Sequence, residues 1–134
     1  MSNRLGEPMD ILSTKKSVNI DLRVVFRTCN NILDKWGGSL AQKARILGMT
    51  EVAYQKINDT PRFTNEQQDR LSYILNIHHA LCSIFSNPDN IEGFMTMINN
   101  NPYFKGRTPL SLIETGDIKA LKEVFMHIDV IQQY

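Results

Sequence analysis

The chain has 134 residues, 42% of them hydrophobic and 22% charged, which suits one globular domain or two small subdomains sharing a core and excludes a disordered polymer. No apolar run approaches the ~20 residues that span a bilayer, and the opening residues lack the apolar stretch of a secretory signal, so the expectation is a cytoplasmic protein with no membrane partner. The net charge is only +1, yet residues 1–63 hold ten Lys/Arg against six Asp/Glu while residues 64–134 hold five against eight, an asymmetry that points the first half toward an anion.

In chain order, residues 1–18 are polar and irregular, with Gly6 and Pro8. They read as an N-terminal arm able to dock through Met9, Ile11 and Leu12. From Asn19 to Trp36 the apolar residues Leu22, Val25, Cys29, Ile32, Leu33 and Trp36 recur at helical spacing. Gly37-Gly38 ends that helix, and Ser39 with Gln42 forms a capping-box pattern opening a short helix from Leu40 to Leu47. Gly48 stops it, and Thr50 caps a third helix that the pattern carries to about Asn58. A break at "DTPRF" precedes a second capping-box pattern, Thr64 with Gln67. That pattern opens the longest helix, to about Phe85, apolar around much of its circumference and therefore central to a core. Ile91, Phe94, Met95 and Ile98 mark another helix, and Ile118, Leu121, Val124, Phe125, Ile128 and Ile131 a final one. No alternating strand pattern competes, so the expected fold is all-α with six or seven helices.

Three constellations bear on chemistry. Residues 39–57, "SLAQKARILGMTEVAYQKI", have the helix, glycine turn and second helix of a helix-turn-helix. Its exposed face is expected to be Thr50, Glu51, Val52, Gln55 and Lys56. Gln55 is suited to adenine and Lys56 to guanine or phosphate, with Lys43 and Arg45, and also Arg27 and Arg62, as phosphate contacts. Lys43 stands where an apolar residue is more usual, and Glu51 repels phosphate; the bland alternative is a helical corner that merely packs. His78 and Cys82 share a helix face one turn apart, but a closed zinc site needs four ligands and only His79, Cys29 and His127 remain. The pair reads better as a core histidine beside a buried thiol, and both cysteines as reduced. Neither a nucleophile elbow, paired carboxylates nor a phosphate loop is present, so the chain is expected to be no enzyme and to need no metal or cofactor.

The remaining stretch, "NPYFKGRTPLSLIETGD", residues 101–117, is dense in helix punctuation. Thr108-Pro109 reads as an N-cap with proline at the first helical position, and Thr115-Gly116-Asp117 as a stop followed by a new cap. Asn101-Pro102, Gly106-Arg107-Thr108-Pro109-Leu110, Leu112 and Thr115-Gly116 resemble the signature of the toxin-binding domain in the Xre/MbcA/ParS antitoxin family. The order of an upstream helix-turn-helix, a long helix, this motif and a terminal helix is also similar to that family over residues 20–131.

The resemblance implies an N-terminal Xre-like helix-turn-helix bundle, residues 19–63, continuing into a C-terminal helical toxin-binding domain, residues 64–134. It implies an antitoxin that neutralises a toxin bearing a RES domain, which consumes NAD⁺, by lying over its active site. Promoter DNA would be a second partner, with a homodimer and a hetero-oligomeric toxin complex as the assemblies. The toxin-facing residues would be Tyr103, Lys105, Arg107, Ile131, Gln132, Gln133 and Tyr134. The alternative is a stand-alone helix-turn-helix regulator whose C-terminal half dimerises or senses a ligand.

Overall fold

The computed structural model describes residues 21–58 and 61–132. The N-terminal arm lies outside them, as do Gln133 and Tyr134, and of Gln132 only the backbone is described. The described residues form an all-α fold: α1 (Leu22–Lys35), α2 (Leu40–Leu47), α3 (Glu51–Gln55), α4 (Asn65–Ile84), α5 (Pro88–Gly93), a 3₁₀ turn (Phe94–Thr96), α6 (Pro109–Ile113) and α7 (Ile118–Gln132).

Local chemistry sets the helix starts. The Asp21 carboxylate accepts from the Arg23 amide at the head of α1. Ser39 with Gln42 and Thr64 with Gln67 make reciprocal capping boxes at α2 and α4. Thr108 caps α6, with Pro109 in its first turn. Each cap is worth about 1 kcal/mol, whereas burying one large apolar side chain stabilises by about 1.5–3 kcal/mol. The caps therefore fix where helices begin, and the core fixes how they pack.

That core runs along α4. Leu71, Ile74, Ile77, Ala80 and Leu81 are buried on it, and it packs most extensively on α7 through Leu121, Val124, Phe125 and Ile128, and also against α1 and α2. Cys29, Ile32, Leu33 and Trp36 of α1 join the same cluster as Ile46 and Leu47 of α2 and Phe104 and Ile113 of the motif.

Two stretches depart from the helical periodicity. The helix expected to reach Asn58 ends at Gln55, where the Lys56 amide bonds back to the carbonyls of Val52, Ala53 and Tyr54. The helix expected to include Ile98 breaks earlier. Asn87 caps α5 with Pro88 in its first turn, the chain tightens into the 3₁₀ turn, and Met97 is extended. Only Met95 of this stretch is fully buried. The cause lies downstream: the Asn99 amide pairs with the Arg107 carbonyl at 3.2 Å, and the Gly106 amide with the Asn99 carbonyl at 2.8 Å. An extended pairing cannot also continue a helix.

Candidate functional site

α2 and α3 form the turn that the sequence suggests. Gly48 ends α2 at φ 72°, its amide bonds to the Arg45 carbonyl, and the Met49 amide bonds to the Ala44 carbonyl. This is the paired closure of a Schellman motif, and the left-handed backbone favours glycine. Thr50 then caps α3, its hydroxyl accepting from the Ala53 amide at 3.1 Å. α3 is held to α1 by Tyr54, which is buried, packs edge-on against Phe26 and donates its hydroxyl to Asn30 Oδ1 at 2.6 Å. Burial chiefly, with the Asp34 carboxylate and Cys29 thiol adding to it, pushes the Tyr54 phenol above its ordinary range. With Tyr54 turned inward, Thr50, Glu51, Val52, Gln55 and Lys56 are all exposed, Val52 by 58%.

Lys43 and Arg45 do not join that face. Lys43 Nζ lies 2.6 Å from Asp34 Oδ1, donates to Asn30 Oδ1 at 3.1 Å and sits over the Tyr54 ring. An amphipathic lysine buries its stem and spends its charge locally, which explains how it fills a position that looks apolar. Arg45 reaches the other way: its Nε donates to the Glu114 carbonyl at 2.9 Å, and its Nη2 lies 3.6 Å from the Glu114 carboxylate. The cations beside α3 come instead from α1 and from the segment after α3. One recess of about 180 Å³ is lined by Arg23, Phe26, Arg27, Asn30, Ile57 and Asn58. An adjoining recess of about 360 Å³ is lined by Ala53, Lys56, Ile57, Asn58, Pro61 and Arg62. Arg27, Lys56 and Arg62 are exposed there.

The second region is the loop of residues 99–108. Asn99 Oδ1 accepts from the Asn101 amide, Asn101 Oδ1 accepts from the Tyr103 amide, and the Lys105 amide donates to the Asn101 carbonyl, each at 2.9 Å. Arg107, itself exposed, braces the loop, Nε donating to the Phe104 carbonyl and Nη2 to the Tyr103 carbonyl, both at 2.8 Å. Its fork is thus engaged with backbone, and its geometry is that of a loop brace. Lys105 is exposed and left-handed at φ 52°. Tyr103 stacks on His127 of α7, ring centroids 4.0 Å apart and 10° between planes, and donates to Glu123 at 3.4 Å. Burial first, then the Glu123 carboxylate, raises the Tyr103 phenol above its ordinary value, with Arg107 opposing.

The motif also reaches α2. Glu114 accepts from Gln42 Nε2 at 2.8 Å as well as facing Arg45. A Cβ added at Gly116, which stands at φ 86°, would meet the Arg45 carbonyl at 3.3 Å. Thr115-Gly116 therefore forms the turn where the C-terminal half presses against α2.

The helical pattern missed one surface. Met97 is 62% and Ile98 69% exposed, beside a recess of about 250 Å³ that they line with Phe85, Asn90, Phe94 and Asn99. The signal was present in "NNNP": asparagines and proline after an apolar run favour turn and extended backbone over helix. Ile131 is exposed near the end of α7. Of the tail residues, Gln133 and Tyr134 lie outside the described set.

The thiols divide. Cys29 is fully buried, donates to the Leu71 carbonyl and is pushed up to about 12 by burial. Cys82 is exposed rather than buried, with Sγ 3.5 Å from His78 Nε2. Among the described residues no group of three or more His, Cys, Asp or Glu is placed to hold a metal ion, and no helix is long and apolar enough to cross a membrane. Compared with known proteins, the chain matches no family model, no curated protein and no solved structure.

Proposed function

We propose that this chain is a two-part antitoxin: α1–α3 bind promoter DNA, and the C-terminal half neutralises an NAD⁺-consuming toxin of the RES type by covering its active site. The observation that carries the reading is the pairing, in one chain, of a helix-turn-helix with an open face and a braced loop built from the motif that resembles the toxin-binding signature. The DNA half is supported by the chemistry beside α3. Gln55 and Lys56 are exposed for base or phosphate contact, and Arg27 and Arg62 flank them as phosphate anchors. This assignment moves the electrostatic contacts away from Lys43 and Arg45, which are engaged within the protein.

The partner half is supported by two adjacent exposed apolar side chains. Met97 and Ile98 project beside the loop that carries Tyr103 and Lys105, and such patches mark interaction sites. Arg107 contributes by holding the loop's shape, while Tyr103, Lys105, Ile131 and the tail supply contact.

Co-expression tests the partner half. A RES-domain toxin encoded beside this chain is expected to arrest growth alone and to be relieved by this protein, with the two co-purifying. Met97→Ser with Ile98→Ser is expected to weaken relief at least tenfold in the toxin dose tolerated, with helicity unchanged, and truncation after Ile128 to weaken it further. Failure to relieve or to co-purify would leave the stand-alone regulator as the better reading. For DNA, replacing Arg27, Lys56 and Arg62 together by alanine is expected to lower promoter affinity about tenfold or more near 100 mM salt. The slope of log K against log salt should fall by about three, roughly one per lost phosphate contact. Lys43→Ala is expected to leave that slope unchanged; a reduced slope there would reverse the assignment.

A further inference from the structure

Asn30 of α1 holds its side-chain amide in one orientation. Its Oδ1 accepts from the Tyr54 hydroxyl at 2.6 Å and from Lys43 Nζ at 3.1 Å. An ammonium can only donate, so the atom facing Lys43 is the oxygen and the nitrogen is turned away from it. The two Nδ2 hydrogens have no partner among the described residues, and Asn30 stands in the wall of the recess that Arg27, Phe26 and Ile57 also line. An amide whose oxygen already accepts from an ammonium and a phenol is polarised into a stronger donor at its nitrogen.

The surroundings determine what such a donor meets. Arg27 precedes Asn30 by three residues, shares its face of α1 and is exposed in the same recess. Arg23, one turn further back, is paired with Asp21. Among the described residues no carboxylate lines this recess or the adjoining one, which shares Ile57 and Asn58 with it and carries Lys56 and Arg62. The two recesses make one cationic trough beside α3. At about 180 Å³, the end beside Asn30 is smaller than the about 300–1,000 Å³ of a small-molecule pocket, and it suits one anionic group of a longer chain.

We infer that Asn30 contacts DNA: its Nδ2 donates to a non-bridging oxygen of one backbone phosphodiester, whose charge Arg27 neutralises, while Lys56 and Arg62 meet phosphate at the other end of the trough. The inference rests on the DNA half of the proposed function and adds to it a neutral donor and the group that aims it. Tyr54 is the positioning residue; it faces inward and acts by holding the Asn30 oxygen. Hydrogen bonds to phosphate fix register without reading sequence, and a neutral donor adds no charge to the release of counterions. Asn30 therefore contributes affinity with neither sequence preference nor salt dependence.

The test uses the full chain, a duplex of the DNA upstream of its reading frame and a scrambled duplex of equal length, with affinities measured across salt. Asn30→Asp is the informative variant. Its carboxylate still accepts from Tyr54 and Lys43, so the internal brace is kept, but the outward hydrogens are gone. It is expected to bind both duplexes about tenfold more weakly or worse, with the ratio between them unchanged. Asn31→Asp adds the same charge at the next, exposed position outside the recess and is expected to cost about threefold or less, as a screened surface charge does. Asn30→Ala is expected to cost about fivefold with the salt slope unchanged. Tyr54→Phe is expected to cost about threefold in the wild-type background and nothing further in the Asn30→Asp background, where a merely structural role would add. Circular dichroism identifies any variant that has lost its helices, and the remaining ones decide. Equal losses for Asn30→Asp and Asn31→Asp, a changed ratio between the duplexes, or additive losses with Tyr54→Phe would overturn this inference and leave the DNA reading in place. Wild-type protein that retains neither duplex would overturn both.

Discussion

Replacing Phe104 by alanine is expected to lower the stability of the fold by about 3–5 kcal/mol, the range for removing a buried aromatic from a core that cannot fully collapse. Phe104 is 0% exposed, and its ring meets Tyr103 edge-on at 5.0 Å and His127 at 6.3 Å. A domain of this size is typically stable by only about 5–15 kcal/mol, so one side chain in the motif controls a large share. The loss should extend beyond the global midpoint. Tyr103 follows the chain into the gap, so its stack on His127 and the near-ultraviolet signal of that pair should weaken at temperatures where the helices persist. Urea denaturation read by helicity and by aromatic circular dichroism checks both; a shift below about 1 kcal/mol would show that the loop is not anchored by this ring.

The second large effect joins α4 to the turn between α2 and α3. Arg70 is 6% exposed, and its Nη1 donates to the Ile46 carbonyl at 3.1 Å, supplying a partner for one of the carbonyls that the end of α2 leaves open. Arg70→Ala is expected to destabilise by about 3 kcal/mol, from an orphaned buried carbonyl and lost packing of the long stem. The Glu66 contact, at 3.6 Å with Glu66 60% exposed, adds little. Gly48 lies under the same side chain: a Cβ there would meet Arg70 Nε at 2.9 Å. Gly48→Ala is therefore expected to cost about 1–2 kcal/mol for the left-handed backbone and more for displacing the guanidinium. The double variant separates the two. Removing Arg70 removes the clash but not the backbone cost, so the double variant should be less destabilised than the sum of the singles by about 1 kcal/mol. Strict additivity would show that Arg70 moves aside freely and does not fix the turn.

Much of this architecture is legible in the residues because it is set locally. Ser39, Thr50, Thr64 and Thr108 cap the helices they precede through bonds spanning three residues. Helical spacing likewise identifies Leu71, Ile74, Leu121, Val124 and Ile128 as core, since a stripe of that width has nowhere else to go. The open face of α3 follows from the same periodicity once Tyr54 is assigned inward.

What periodicity could not determine depends on residues far apart in the chain. Ile98 satisfies a helical stripe, yet Asn99 pairs with Arg107 and draws the segment into extended backbone, leaving Met97 and Ile98 at the surface. Cys82 satisfies a stripe too, yet it is exposed. Charges are harder still. Lys43, Arg45 and Arg107 all look like free cations in the sequence, and each is engaged by an acceptor that only folding brings near: Asp34, the Glu114 carbonyl, and the carbonyls of Phe104 and Tyr103. The sequence by itself determined the helices and the apolar faces they bury, because caps and periodicity act within a few residues. The tertiary structure alone decided which polar and apolar groups remain free to meet a partner, because that depends on which surfaces the packed helices leave uncovered.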